Sequence, residues 1–454
     1  MQLPTQFEDS MKAALGGEYD AFRAALDQDP QVSIRINTRK VSAPTKGVEV
    51  PWCATGQYLD KRPSFTLDPL LHAGCYYVQE ASSMFVEQVY RQFIDTEAPV
   101  VLDLCAAPGG KSTHLASLLD GKGWLVSNEV MRNRVNILRE NIIKWGAPNV
   151  TVTNNDPADF GKLTGLFDLI LVDAPCSGEG MFRKDEQAVE EWSPENVRFC
   201  AERQRRILAD IFPALAEGGI LIFSTCTYNE EEDEQNVHWI AEELGAEILR
   251  IETDPAWNVT ETDAGYHFYP HKTRGEGFFL SALRKTEEEP ACKRKKKKEA
   301  KVALPPSAKE LTNWLTEPVK LTAHNDVIYA IPADQADLVD MLSEHLRVLQ
   351  SGVEVATVKG KDLIPSQHLA LAWTLRNGVF PTVDLSWQEA ITYLRKENLT
   401  LPANAPKGYI LLTYRSVPLG WVKNLGNRCN NLHTQEWRIR MQVDGLEFND
   451  FLEL

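Results

Sequence analysis

Short apolar runs at 100–105, 123–129, 150–155, 167–173 and 219–225 alternate with stretches of helical period at 111–119, 131–145 and 194–216. An unbroken apolar run of that length reads as a strand buried on both faces. Such strands, separated by amphipathic helices, predict a parallel sheet covered on both sides, an α/β core. Ser193 followed by Pro194 marks the start of the last helix, with the hydroxyl as cap and proline at the first helical position. PHKTRGEGFFLSALRK at 270–285 reads as an antiparallel strand closing the sheet.

The pattern differs on either side of this core. Residues 1–95 combine a helical period from Phe7 to Leu26, the alternating SIRINTRK, and HAGCYYVQEASSMFVEQVY, a turn feeding an amphipathic helix. Residues 287–306 hold acids, the basic run Lys293 to Lys298 and Pro305-Pro306, which together mark a charged linker. Residues 307–390 carry no chemical motif. The segment 391–454 contains GYILLTYRSVPLGWVKNLG, two strand patterns around a Pro-Leu-Gly turn, and reads as a small β-rich module. The expected division is thus 1–95, a core at 96–286, the linker, 307–390 and 391–454.

A chain of 454 residues holds two to four domains. Hydrophobic content of 43% and charged content of 25% are those of ordinary globular proteins. No apolar stretch reaches the ~18 residues of a membrane span. The N-terminus lacks the basic and apolar regions of a signal peptide. The eight cysteines form no CxxC pair, so the expectation is a reduced, cytoplasmic protein with free thiols and no metal site. The net charge of −16 confines any nucleic-acid contact to local basic surface. Candidates are the lysine run, which also reads as a solvated linker, and Arg428, Arg438 and Arg440.

Chemistry concentrates at 100–119, VVLDLCAAPGGKSTHLASLL. The strand breaks at Cys105-Ala106-Ala107-Pro108-Gly109-Gly110-Lys111 and gives way to a helix, an arrangement that lets backbone approach a nucleotide-like ligand. A phosphate-binding P-loop needs glycine where Cys105 stands, and Pro108 removes a backbone donor. The dinucleotide fingerprint is absent. A ligand without pyrophosphate, such as S-adenosylmethionine, suits this loop. Acids recur at successive strand ends: Glu129 for ribose hydroxyls, Asp156 for the adenine amino group, Asp173 near the sulfonium and substrate. Each could instead cap a helix or turn.

Two cysteines also follow strand ends: Cys176 in LILVDAPCSGEG and Cys226 in ILIFSTCTYNEEEDE. Cytosine C5 is a poor nucleophile until a thiolate adds at C6 and makes C5 enamine-like. A free thiol is only a few per cent ionised at neutral pH, so such a site must favour the thiolate. The alternative is that both are small buried hydrophobes.

With these residues in view, the chain resembles the Sun-type family of RNA cytosine-5 methyltransferases over about 30–285. The resemblance is carried by SIRIN (33–37), YVQEASSM (77–84), LDLCAAPGGKS (102–112), DAPCSGEGMFRKD (173–185), STCTY (224–228) and PH with GEGFF (270–279). It implies a Rossmann-like class I S-adenosylmethionine-dependent core with an N-terminal α+β RNA-binding domain. Cys226 would be the nucleophile, and Cys176 would assist product release. Cys105 to Lys111, Glu129, Asp156 and Asp173 would contact the cofactor, with Asp173 and Lys111 also near the target base. GMFRKD and LGWVKNLGNRCNN resemble the bacterial branch acting on 16S ribosomal RNA, whose C-terminal α+β extension ends in a PUA-like RNA-binding module; the ending HTQEWRIRM departs from that module's usual basic one. The implied substrate is an exposed cytosine in 16S rRNA or the small ribosomal subunit, and nothing demands more than a monomer. Transfer RNA, DNA cytosine methylation and a non-catalytic assembly role are the alternatives.

Overall fold

Five parallel strands form the centre of the molecule in the order β3-β2-β1-β4-β5. They are β1 (Val100–Asp103), β2 (Trp124–Asn128), β3 (Val150–Thr153), β4 (Phe167–Asp173) and β5 (Leu215–Thr225), with helices α1 (Gly110–Leu119), α2 (Arg132–Trp145) and α3 (Pro194–Ile211) between them. The strands are apolar throughout because both faces are covered. Val101, Leu125, Leu169, Leu171 and Ile222 enter one apolar cluster, whereas Leu102, Val126, Ile170, Val172 and Phe223 enter another. This is the two-residue alternation of a strand with a core on each side. Strand order reverses between β1 and β4, which opens a crevice at their carboxyl ends.

Helix α4 (Glu234–Leu244) then leads to β6 (Ala246–Leu249), β7 (Thr260–Glu261), β8 (Tyr266–Phe268) and β9 (Phe278–Lys285). Strand β9 lies antiparallel on β5, as the 270–285 pattern predicts. The computed structural model describes residues 2–41, 48–287 and 304–443. The lysine run at 293–298 lies outside the described residues. No helix among the described residues is long and apolar enough to cross a membrane.

Several elements depart from the sequence pattern. The strand expected to reach 105 ends at Asp103, where the chain leaves the sheet for the glycine loop. The third strand ends at Thr153 instead of 155, and Asp156 caps a short turn over Pro157–Lys162. The helix expected to 216 ends at Ile211, two residues before Pro213, whose ring and missing donor stop it. The hairpin near the C-terminus, between strands Gly408–Tyr414 and Val417–Asn424, turns at Arg415-Ser416, and Pro418 to Gly420 lie inside its second strand.

The flanking segments are bound into the core and into each other. The N-terminal helices Thr5–Leu15 and Tyr19–Leu26 precede an antiparallel sheet of Val48–Val50, Cys53–Leu59, Val32–Ile36 and Tyr76–Val78. Within 307–390, strand β10 (Val348–Ser351) pairs antiparallel with β3 and extends the central sheet to ten strands. Leu338, Val339 and Leu342 join the core cluster beside it. The C-terminal sheet begins at Thr382, ahead of the expected 391. Ile34 and Tyr76 share an apolar cluster with Ile391, Tyr393 and Leu412, and Trp387 Nε1 donates to Leu67 O at 2.9 Å.

Candidate active site

The loop after β1 is held from three sides. Ala106 N donates to Asn128 O at 2.8 Å, Arg134 Nη2 to Ala107 O at 2.7 Å, and Asn141 Nδ2 to Pro108 O at 2.8 Å. The Ala107–Pro108 peptide is cis. Gly109 sits at φ +117°, and a Cβ there would stand 3.3 Å from Leu138 Cδ1. A glycine is needed for this backbone conformation. From below, buried Arg35 donates to Thr113 Oγ1 (2.6 Å), Gly110 O (3.3 Å) and Gln79 Oε1 (2.8 Å). Its guanidinium lies 4.4 Å from the Trp145 ring centre. Burial pulls the Arg35 guanidinium down to about 10. Sequence reasoning missed Arg35; it lies in the SIRIN motif, but its partners are distant in the chain.

Acidic side chains line the crevice beside this loop. Asp103 is fully buried, accepts from Ser112 Oγ at 2.6 Å, and has no partner for Oδ1 among the described residues. Burial pushes its carboxyl up to about 7. Glu129 is buried at the end of β2, accepts from Met131 N at 2.8 Å and lies 3.5 Å from Arg134 Nη1. An orphaned carboxylate oxygen, a second buried acid and a loop lacking the phosphate cradle fit a ligand that brings positive charge and hydroxyls. S-adenosylmethionine has both. Asp156, after the end of β3, caps its turn through Ala158 N at 3.2 Å and lies 3.7 Å from Arg206 Nη2.

Lys111, Asp173, Cys176 and Cys226 converge. Lys111 Nζ lies 2.8 Å from Asp173 Oδ2, and Ser224 Oγ donates to Asp173 Oδ1 at 2.8 Å. Burial alone would pull the Lys111 ammonium down, but Asp173, Asp103 and Cys226 hold it above its ordinary value. The two sulfurs are 2.8 Å apart as free thiols, and Cys226 N donates to Cys176 Sγ at 3.3 Å. The Cys226 thiol, then burial, push the Cys176 thiol well up. Burial also raises the Cys105 thiol.

Two buried glutamates, also unanticipated, stitch the cysteine loops together. Glu179 accepts from Thr227 Oγ1 (2.6 Å), Tyr228 N (2.9 Å) and Trp192 Nε1 (2.9 Å). Glu232 accepts from Ser177 N (3.1 Å), Gln204 Nε2 (2.7 Å) and Asn229 Nδ2 (2.9 Å). Gly180 N donates to Cys226 O at 2.8 Å. A Cβ on Gly180 would stand 2.3 Å from Gly277 O, so the two GEG segments approach only because both carry glycine.

Residues 93–284 match the family described as 16S rRNA methyltransferase RsmB/F, residues 3–81 the N-terminal domain of 16S rRNA methyltransferase RsmF, and residues 380–439 the methyltransferase RsmF PUA domain. The chain is 32% identical over 464 residues, 95% of each chain, to ribosomal RNA small subunit methyltransferase F of Shigella boydii serotype 4. It is 32% identical over 469 residues, 96% of each chain, to the protein of that name from Cronobacter sakazakii. A methyltransferase homolog from Pyrococcus horikoshii aligns with a TM-score of 0.54 at 28% identity, covering 62% of this chain and 95% of that one. NSun6 from Pyrococcus horikoshii, crystallised with SFG, shares the fold at 23% identity and a TM-score of 0.54, covering 63% and 99%. With a match along nearly its whole length, the chain belongs to the S-adenosylmethionine-dependent RsmB/F family of 16S rRNA methyltransferases, and carries the RsmF-type N-terminal and PUA domains.

Proposed function

We propose that this protein methylates cytosine C5 in ribosomal RNA, specifically 16S rRNA, through a covalent bond between Cys226 Sγ and cytosine C6. The observation that carries the reading is the contact of two free thiols beside the Lys111–Asp173 pair. Burial and the neighbouring thiol keep Cys176 protonated, which suits a hydrogen-bond and proton partner better than a nucleophile. Cys226 is the thiol that neighbours the Lys111 ammonium, where a charge partner for a nucleophile is at hand.

When bound, S-adenosylmethionine supplies an electrophilic methyl group on a positively charged sulfur. Gly109, Gly110 and the carboxylates of Asp103 and Glu129 would hold it at the carboxyl end of β1. Cys226 as thiolate would add to C6 and move the C5–C6 π pair to C5, from which C5 would take the methyl group, the methyl–sulfur bond pair staying on the departing donor sulfur. Asp173 would accept from the N4 amino group of the base, and the Lys111 ammonium beside it would offset negative charge developing on the ring. Water would take the C5 proton, the freed pair restoring the double bond while the C6–S pair returns to Cys226 Sγ, and Cys176 would assist that departure.

Target RNA has to present an unstacked cytosine, which is cheapest in a loop or bulge. Helix α3 offers a matching rim within an acidic chain. It exposes Arg198, paired with Glu195 at 3.0 Å, and Arg206, paired with Asp156 at 3.7 Å, and Phe199 is 60% exposed with the Arg203 guanidinium 5.7 Å from its ring centre. One copy of the chain suffices for this chemistry, and we place it as a cytoplasmic monomer.

The test is transfer of labelled methyl from S-adenosylmethionine to unmethylated small subunits, naked rRNA, transfer RNA and duplex DNA, followed by nucleoside analysis. Label in 5-methylcytosine from small-subunit RNA is the expected result. Label in transfer RNA alone overturns the substrate, and label in any nucleoside but 5-methylcytosine overturns the chemistry.

A further inference from the structure

A cavity of about 360 Å³ lies away from the cysteines, where three parts of the chain meet. Arg39 and Lys40 come from the N-terminal segment, Trp373, Arg376 and Phe380 from the 307–390 segment, and Ser416 from the C-terminal hairpin. The volume is that of a small-molecule site. In a chain with 64 acids among 454 residues, this lining has three basic residues and, among the described residues, no acid.

The basic and aromatic groups are fixed in place. Arg39 donates to Asp120 Oδ1 (2.6 Å) and Asp120 O (3.0 Å), and its guanidinium lies 5.6 Å from the Trp373 ring centre. Arg376 donates through Nε and Nη2 to Leu315 O at 3.2 and 2.6 Å. Phe380 is wedged between Trp314 and Trp421, with ring centres 4.9 and 4.6 Å away. Lys40 belongs to the wall: its ammonium donates to Ala73 O and Lys144 O, both at 2.6 Å, and burial pulls it down to about 7.

A second observation concerns the hairpin at the cavity's rim. Arg415 and Ser416 both lie in the left-handed region, at φ +52° and +64°. A two-residue turn of this kind ordinarily takes Asn-Gly, and bulkier residues are strained there. Asp384 accepts from Thr413 Oγ1 (2.6 Å) and Ser416 N (2.8 Å), so its charge is used inside the hairpin. The turn sets Ser416 at the cavity's edge, while the Arg415 guanidinium lies 5.6 Å from the Tyr414 ring centre.

We propose that this cavity binds one unstacked nucleotide of the RNA substrate, its base against Trp373 and its phosphate between Arg39 and Arg376. The inference rests on the RNA reading above and adds a contact remote from the target base. Splayed bases held on aromatic or guanidinium planes, with arginine on phosphate, are the usual way folded RNA is gripped. Helix α1 runs from the cofactor loop at Gly110 to Leu119, next to Asp120, so ~15 Å of helix separates cavity from chemistry. The cavity therefore acts on RNA binding and not on the chemical step.

In the test, 16S rRNA transcribed with 4-thiouridine is irradiated with the full-length protein, and crosslinked peptides are mapped by mass spectrometry. Crosslinks to peptides holding Trp373–Phe380 or Tyr414–Val417 are expected in addition to those at the catalytic crevice. Arg39→Gln with Arg376→Gln raises KM for RNA about tenfold at unchanged kcat. It also lowers the slope of log Kd against log salt by ~0.7, the value for one phosphate contact on single-stranded RNA. Because Arg376 also anchors Leu315, Arg39→Gln alone is measured too, and its KM moves in the same direction. Trp373→Phe keeps the crosslink that Trp373→Ala loses. Crosslinks confined to the catalytic crevice, with KM unchanged in the double variant, overturn the cavity and leave the methyltransferase reading standing. If the wild-type protein neither binds nor methylates any RNA, both fall together.

Discussion

The backbone N–H of Cys226 points at the sulfur of Cys176, 3.3 Å away, with the two sulfurs 2.8 Å apart. In the mechanism proposed above, that contact lets Cys226 attack while Cys176 stays protonated beside it. Cys226→Ala is expected to lower methyl transfer by at least ~10⁴-fold, since the other thiol at hand, Cys176, is held protonated. Cys176→Ala is expected to accumulate a covalent protein–RNA adduct, visible as a slow band on a denaturing gel. Normal turnover by Cys176→Ala, or an adduct formed by Cys226→Ala, would reverse the assignment.

Lys111 and Asp173 act as one unit in this geometry. Each holds the other at 2.8 Å, and Lys111 is the more buried of the two. Lys111→Met leaves Asp173 without its counter-charge, and Asp173→Asn leaves the ammonium without its own. Each single change is expected to cost ~10²-fold or more in single-turnover rate. The double variant is then no slower than the worse single, because both remove the same interaction. Multiplying penalties in the double variant would mean that the two residues work independently.

What the sequence made legible is what local pattern records. Lys111, Asp173, Cys176 and Cys226 each follow a strand that an apolar run announces, so their convergence on one sheet edge could be read from the chain. Arg35 could not: it meets Thr113 78 residues away, and no periodicity encodes that contact. Glu232 likewise reaches Ser177 across 55 residues. The turn that Asp156 caps was readable, because an acid followed by proline is a helix-start signal. The hairpin turn was masked by Pro418 and Gly420, which are ordinarily turn residues but here lie in a strand. Strand β10 is four residues long and pairs with a strand some two hundred residues earlier, which length and composition do not reveal.

Arg35 sets the floor of the Cys105–Lys111 loop, the proposed cofactor loop, through Gly110 and Thr113. Arg35→Met keeps much of the side-chain length against Trp145 but leaves Thr113 Oγ1 and Gln79 Oε1 with one partner fewer. Each buried polar group left short costs about 1–3 kcal/mol. The expected result is a loss of about 3 kcal/mol in denaturant unfolding, with weaker S-adenosylmethionine binding by calorimetry. Because the loop is displaced and the thiols are not, the RNA adduct in a Cys176→Ala background should form as before. A stable Arg35→Met protein with unchanged cofactor affinity would remove Arg35 from this role.

Asp103 makes cofactor binding depend on pH, and the sign follows from its burial. In the free protein its carboxyl is raised to about 7, so between the ordinary carboxylate range and pH 7 the folded state holds a proton that the unfolded chain has lost. Its contribution to stability is therefore fully present at low pH and is lost as pH rises toward 7. A cationic ligand reverses the preference and favours the ionised carboxylate, so binding S-adenosylmethionine should release a proton near pH 7. Affinity is expected to rise by up to about tenfold from pH 6 to pH 8. Asp103→Asn, which still accepts from Ser112, should flatten that profile and remove the proton release seen by calorimetry in buffers of different ionisation enthalpy. A pH dependence that survives Asp103→Asn would place the titrating group elsewhere in the crevice, with Glu129 the next residue to test.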